Sequence, residues 1–388
     1  MEKVLYWIWL TAKPGITPHK IMSLMEYFSG AEEIYRAETY ANIPNIGARE
    51  MSALKDKSLF QAKKIKKTID DMGAKIITFD DDEYPDDLRY ITPPPYILYV
   101  RGDISGINDV LTIAVIGTRK EYTTYGKMVT MRLSSELARG GAIVVSGMAE
   151  GLDSVAAVGA MRAGGRTIAV MGTGLDIAYP AWNRDLMEEI AAHGAVITEY
   201  PPGSPALKEH FPERNRIIAG ISNGVLVTEA QAHSGTSITV GYATEYNRDV
   251  FAVPGSIYEE KYIGAHRYIQ QGAKLTMSAN DIFEEYPYMV RDKLSAPKRI
   301  ETEPEETAEI NAKIPPEPAD DVSDMDKYKD LNDTDKRIVS LLMKKDMNID
   351  ELSRETEIGA GMLNVRLTLL EMKKLVKRLP GGDYRIVA

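Results

Sequence analysis

Thr112-Ile113-Ala114-Val115-Ile116 is the first of a series of short apolar, β-branched runs whose reading decides the fold. The others are Ala142-Ile143-Val144-Val145, Thr167-Ile168-Ala169-Val170-Met171, Ala195-Val196-Ile197-Thr198, Gly224-Val225-Leu226-Val227 and Val250-Phe251-Ala252-Val253. A strand with one wet face alternates apolar and polar residues, whereas runs this continuous suit strands buried on both faces, as in a parallel sheet covered by helices. The stretches between them, such as 126–139 and 183–192, read as those helices. The predicted fold is therefore α/β: a Rossmann-like, doubly wound, mainly parallel sheet over residues 74–288.

On the N-terminal side, residues 1–73 read as a helical module of the SAM or helix-hairpin-helix kind. Pro14-Gly15-Ile16-Thr17-Pro18 and Ile43-Pro44-Asn45-Ile46-Gly47 each lead into an amphipathic stretch. The second resembles a helix-hairpin-helix turn, in which glycine lets backbone N–H groups face a phosphate; the same turn also serves plain packing in a small bundle. On the C-terminal side, residues 289–330 read as an acidic, disordered linker, rich in proline and too polar to bury a core. Residues 331–388 then give a winged-helix pattern: helices opening near Asp333 or Thr334, at Ile349 and after Gly359-Ala360-Gly361, followed by a hairpin turned by Pro380-Gly381-Gly382-Asp383.

The 388 residues carry a net charge of −10, with 44% apolar and 27% charged residues. That composition is globular, and its acidity argues against a phosphate ligand unless binding is local, because counterion release at Lys and Arg drives such binding. There is no cysteine, which excludes disulfides, thiolate metal sites and a cysteine nucleophile, and fits a reducing compartment. The apolar start Val4-Leu5-Tyr6-Trp7-Ile8-Trp9-Leu10 is too short to span a bilayer and has no small-residue cleavage site after it. A cytoplasmic protein with no membrane partner is expected.

In an open parallel sheet, ligands bind beyond the carboxyl ends of the strands. Every run here ends in a small-residue loop: Gly117-Thr118-Arg119, Ser146-Gly147-Met148-Ala149-Glu150-Gly151, Gly172-Thr173-Gly174, Pro201-Pro202-Gly203, Ala230 to Ser237, and Pro254-Gly255. One such loop only turns a tight corner; a row of them makes a groove for a polyanion. Nucleotide fingerprints are incomplete: Gly172-Thr173-Gly174 lacks a third glycine, and Gly126-Lys127 lacks the P-loop spacing. No histidine sits in metal-ligand spacing with another. No catalytic residue, metal or cofactor is predicted. The stretch Lys208-Glu209-His210-Phe211-Pro212-Glu213-Arg214-Asn215-Arg216 gathers cations beside an aromatic ring, the combination that holds a single strand by its backbone while a ring stacks on an unpaired base. The alternative for Arg214 or Arg216 is an internal ion pair with Glu229 or Glu245.

At this point the sequence resembles the DNA-processing protein A family (DprA, also called Smf). The likeness rests on Gly117-Thr118-Arg119, Ser146 to Asp153, Thr167 to Pro180, Phe211 to Ser222, Ser234 to Thr239 and Val250 to Gly255, and covers roughly residues 75–283. It implies a non-catalytic homodimer that binds single-stranded DNA without sequence preference, protects it during natural transformation and recombination, and loads the RecA recombinase. The implied DNA-binding residues are Gly117, Thr118, Arg119, Ser146, Gly147, Lys208, Phe211, Arg214, Asn215, Arg216, Ser234, Gly235 and Thr236. Among them Arg119 would meet the backbone or lie between bases, Lys208 would hold phosphate, Phe211 would face a base, and the amides of Ser234, Gly235 and Thr236 would cradle a phosphate. The sequence departs from the family where GTR replaces GSR, with one extra residue before Tyr125-Gly126, and where Ala157 stands in place of a histidine. Two other readings are a nucleotide N-glycosidase, whose GGxGTxxE glutamate is missing after Gly235-Thr236, and a duplex-DNA regulator acting through the winged helix.

Overall fold

All six runs form strands in the computed structural model, which describes residues 3–232, 234–289 and most of 333–386. The strands are β1 Lys75–Thr78, β2 Ile97–Gly102, β3 Thr112–Ile116, β4 Ile143–Ser146, β5 Thr167–Val170, β6 Ala195–Thr198, β7 Gly224–Val227, β8 Asp249–Ala252 and β9 Lys274–Leu275. They make one sheet in the order β1-β2-β6-β5-β4-β3-β7-β8-β9. From β6 to β9 every pair is parallel, while β2 runs antiparallel to both β1 and β6. Successive strands step from β3 toward β6 on one side and from β7 toward β9 on the other. The order therefore reverses between β3 and β7, where Ile116 pairs with Val227.

The helices are α1 Val4–Thr11, α2 Pro18–Met25, α3 Ala31–Arg36, α4 Ala48–Lys55, α5 Phe60–Asp71, α6 Asp86–Arg89, α7 Thr124–Arg139, α8 Leu152–Arg162, α9 Arg184–His193, α10 His210–Gly220, α11 Thr236–Glu245, α12 Ile263–Gln270 and α13 Ala279–Phe283. Side chains alternate across a strand, and β3 shows the consequence. Ile113 and Val115 pack with Leu133 and Leu137 of α7 and Ala156 and Ala160 of α8. Ala114 and Ile116 pack with Ile217 and Ile218 of α10 and Val240 of α11. Both faces are dry, which is why the strand sequences show no polar alternation.

The apolar N-terminal run is a core helix: Leu5 through Leu10 are all buried, as expected of a helix apolar on every side. Trp7 donates its indole N–H to Asp80 Oδ2 at 2.7 Å and stacks on Tyr96 with ring centroids 5.5 Å apart. Residues 1–73 thus share an apolar cluster with Tyr96, Ile97 of β2 and Ile190 of α9, and they belong to the same compact unit as the sheet, Met1–Pro315. At the helix-hairpin-helix-like turn, the Gly47 N–H donates to Glu50 Oε2 at 3.0 Å, and Lys20 Nζ donates to Glu50 Oε1 at 2.7 Å. The chain's own carboxylate fills the seat a phosphate would take.

The second unit, Pro316–Ala388, contains helices Asp333–Leu342 and Ile349–Thr356 and an antiparallel pair, β10 Val376–Arg378 with β11 Tyr384–Ile386. Ile338, Leu342, Leu352, Leu363, Leu367, Leu370 and Tyr384 bury one small core, a winged-helix arrangement. The Gly359–Gly361 turn and residues 380–382 of the hairpin turn lie outside the described residues, as does nearly all of the linker expected over 289–330.

Candidate nucleic-acid interface

The reversal of strand order between β3 and β7 opens the crevice where α/β sheets bind ligands, and two of the sequence-predicted loops flank it. Gly117-Thr118-Arg119 leaves β3. Its backbone is clamped from below, because the Leu152 N–H donates to the Thr118 carbonyl at 3.1 Å. Gly151 sits at φ +91°, and a Cβ there would come within 2.5 Å of the Thr118 oxygen, so only glycine fits. With its main chain held, Arg119 extends an exposed side chain that has no hydrogen bond or ion pair among the described residues. Its guanidinium lies beside the second loop: a Cβ on Gly235 would stand 3.9 Å from Arg119 Nη2. The backbone N–H groups of Ser234, Gly235 and Thr236, at the start of α11, have no hydrogen-bond partner among the described residues. Ser234 and Thr236 join their hydroxyls to each other. An exposed guanidinium without a hydrogen bond or ion pair thus faces unpaired amides at a helix start, the donors that an anion would need.

The start of α7 differs. Glu229, buried at the end of β7, accepts from the Thr123 N–H at 3.0 Å and from the Thr123 hydroxyl at 2.6 Å. Tyr262 donates to the same oxygen at 3.0 Å. The position where a Rossmann fold seats a nucleotide phosphate is filled by an internal carboxylate.

Beneath the crevice lie the arginines of α10. Arg214 is 2% exposed and donates to the carbonyl of Gly147 at 2.7 Å and to that of Val170. It thereby ties the ends of β4 and β5 together. Asp153 lies opposite, its Oδ2 accepting from the Gly147 N–H at 3.2 Å. A Cβ on Gly147 would fall 2.5 Å from Arg214 Nη1 and 2.7 Å from Asp153 Oδ2, so any side chain there would displace these two groups. Burial pushes the Arg214 guanidinium down to about 10; Asp153 opposes this shift and Arg119 adds to it. Burial likewise raises the Asp153 carboxyl, with Arg214 and Arg119 pulling it back. Arg216, 4% exposed, forms an ion pair with Glu199, just past β6. This corrects the expected internal partner: it is Glu199 rather than Glu229 or Glu245. Asn215 is buried between them. The sequence grouped Arg214, Asn215 and Arg216 with the DNA contacts; the fold turns all three inward, because α10 is covered along its length from residue 214 to 220.

At the exposed start of α10, Phe211 is half-buried. Its ring lies against Gly172, where a Cβ would be 3.3 Å from Cδ1. The Tyr179 ring lies 4.9 Å away at 41°, and the Arg214 guanidinium carbon is 6.0 Å from the Phe211 ring centre. His210 Nδ1 contacts the Gly172 carbonyl at 3.0 Å and stacks on Tyr200 at 3.9 Å. The ring of Phe211 is thus held in place, which favours stacking at low entropic cost. Lys208 is exposed and makes no hydrogen bond or ion pair among the described residues. Ser146, by contrast, is buried and donates to the Val115 carbonyl at 2.8 Å. Gly117, Gly147 and the side chain of Thr236 are buried too, and Thr118 is half-buried. The sequence therefore placed these loops at strand ends, as the structure does, but did not separate their exposed residues from their buried ones. It also did not single out Asp153 or Glu199, whose only signal is an acid next to a strand-end loop.

Fold and loops together define a Rossmann-like protein with exposed cations and unpaired amides at its strand ends, and a second unit of winged-helix form. The family model described as DNA recombination-mediator protein A matches residues 75–287, and the DprA winged helix domain matches residues 315–382. The chain belongs to the DNA-processing protein A (DprA/Smf) family. It is 31% identical to the protein Smf of Synechocystis sp. over 98% of each chain. The solved structure of DNA processing protein A from Streptococcus pneumoniae matches with a TM-score of 0.64 and 36% identity, over 74% of this chain and 99% of that one. A second solved structure, reporting a single-stranded DNA binding mode of DNA processing protein A from Helicobacter pylori, matches with a TM-score of 0.50 and 29% identity, over 56% of this chain and 98% of that one. No helix among the described residues is long and apolar enough to cross a membrane.

Proposed function

We propose that this protein binds single-stranded DNA without sequence preference. The strand lies along the carboxyl ends of β3, β4, β5 and β7. The observation that carries this reading is the free Arg119 guanidinium beside the unpaired amides of Ser234 to Thr236, with Lys208 and the held ring of Phe211 on the same strand-end side of the sheet. Arg119 and Lys208 take phosphates, the amides of the α11 start take another, and Phe211 stacks on an unpaired base, a contact worth ~1–3 kcal/mol per base. None of these groups reads a base edge, so no sequence is selected. Gly117, Thr118, Ser146, Gly147, Arg214, Asn215 and Arg216 act through shape: they fix the loops that present the rim. The Helicobacter relative, described with a single-stranded DNA binding mode, supports this assignment.

The reading extends to the setting that the family resemblance implies. The protein is a cytoplasmic, non-catalytic homodimer that shields single strands during transformation and recombination and passes them to RecA. Sedimentation equilibrium tests the dimer, and a monomer at micromolar concentration contradicts it. RecA assembly on oligo-dT precoated with this protein tests the loading step, which predicts faster assembly than on oligo-dT coated with a heterologous single-strand binder. The binding mode is tested by anisotropy with fluorescent oligo-dT against an equal-length duplex. Preference for the single strand is expected, because a duplex hides its base faces and is too stiff to follow the loops; equal or tighter duplex binding would contradict it and favour the winged helix as the binding element. Incubation with nucleoside monophosphates should release no free base, since Gly235-Thr236 is followed by Ser237, Ile238 and Thr239 rather than by a glutamate.

A further inference from the structure

The loop after β5 carries aromatic surface that the track described above leaves unused. Tyr179 is 46% exposed and Trp182 is 52% exposed, although the chain has only three tryptophans and the other two, Trp7 and Trp9, are buried. The two rings stand three residues apart in the chain, and exposed rings set close together mark contact surface. Tyr179 already touches the groove through its 4.9 Å ring contact with Phe211. Trp182 lies in a single 3₁₀ turn, Ala181–Asn183, that is pinned from within. The buried Asn183 side chain donates to the Met148 carbonyl and to the Ser154 hydroxyl, each at 3.0 Å. The turn is fixed while the indole points to water, so the exposure of Trp182 is built into the fold. Two residues on, Arg184 is exposed and has no hydrogen bond or ion pair among the described residues. Its neighbour Asp185 sits in the first turn of α9, where the helix dipole favours a carboxylate.

We propose that Tyr179, Trp182 and Arg184 form a second step for the same single strand: Trp182 stacks on an unpaired base further along than the one on Phe211, Tyr179 bridges the two rings, and Arg184 takes a phosphate. This rests on the single-stranded DNA reading above. One ring with one unpaired cation close by in the chain, Phe211 with Lys208, recurs as Trp182 with Arg184, and such a repeat is what a polymer of alternating bases and phosphates requires. A protein partner would use the same rings but would have no need of the two unpaired cations, Lys208 and Arg184, that accompany them in the chain.

The full-length protein carries its own reporter, because Trp182 is the only tryptophan exposed to solvent. Titration with oligo-dT, exciting at the red edge, should quench Trp182 emission and protect it from acrylamide. Trp182→Ala should weaken oligo-dT binding by about 5- to 150-fold and leave the salt slope unchanged, while Trp182→Phe retains most of the affinity because a ring remains. Arg184→Ala should flatten the slope by ~0.7. Binding by the wild type with unaltered tryptophan emission, and with equal affinity in Trp182→Ala and Arg184→Ala, would overturn this second step and leave the main site standing. If the wild type fails to bind oligo-dT at low salt, the single-strand reading itself falls, and this step falls with it.

Discussion

Two sets of cations meet in this crevice and share little but charge. Arg119 and Lys208 are exposed, free of partners among the described residues, and set on loops. Arg214 and Arg216 are buried, the first donating to carbonyls and the second paired with Glu199. All but Arg119 lie within nine residues of one another in the sequence. The comparison separates two tasks that a list of motif residues merges: holding the ends of the strands together, and offering charge to a ligand. A guanidinium suits the first because its fork reaches two carbonyls at once, as Arg214 does for β4 and β5. The second needs a side chain whose charge is not already neutralised.

The contrast is broken most severely by removing a buried guanidinium. Arg216→Ala leaves the Glu199 carboxylate buried without its ion-pair partner, and Arg214→Ala strips the Gly147 and Val170 carbonyls of their donor and the buried Asp153 of its nearby cation. Each should cost ~3–5 kcal/mol of folding stability, measured by denaturant unfolding; a loss below ~0.5 kcal/mol in both would return them to the DNA-contact group. Glu229→Gln comes next. It replaces an acceptor of three hydrogen bonds with a group that can present N–H to the same donors, and a loss of ~1–3 kcal/mol is expected. Unchanged stability would mean that the α7 start does not depend on its internal carboxylate. The smallest effect on folding, and the one that sharpens the contrast, comes from the rim. Arg119→Ala and Lys208→Ala should each leave stability within ~0.5 kcal/mol while lowering oligo-dT affinity about tenfold, or ~1.4 kcal/mol. A rim variant that unfolds the protein would erase the distinction.

The parallel core was legible because its signal is local. Runs such as Thr112–Ile116 are apolar at every position, and both faces of β3 are dry for that reason. The antiparallel β2 was not, although Ile97 to Val100 is as apolar as its neighbours. Direction of pairing is set by its partner β6, nearly a hundred residues away, and leaves no mark on the strand itself. The strand-end loops were legible through glycine, because a close backbone contact such as that of Gly151 with the Thr118 and Arg119 carbonyls admits nothing larger. The fate of Arg214 and Arg216 was not, since a cation at a helix start reads the same whether it faces water or a hidden carboxylate. One hint was available: three consecutive polar residues, Arg214, Asn215 and Arg216, sweep about 200° of a helix, so at least one must face the core of a covered helix. Trp182 was missed for the opposite reason, since a lone tryptophan in sequence gives no sign of its exposure.

The most direct test of the central claim, that free charge at the rim holds an unpaired strand above a floor of committed arginines, is an oligo-dT titration across salt concentration. Log affinity should fall linearly with log salt, and Arg119→Ala and Lys208→Ala should each flatten that line by ~0.7, the contribution of one phosphate on a single strand. A line of unchanged slope in both variants, or no binding by the wild type in dilute buffer, would contradict it.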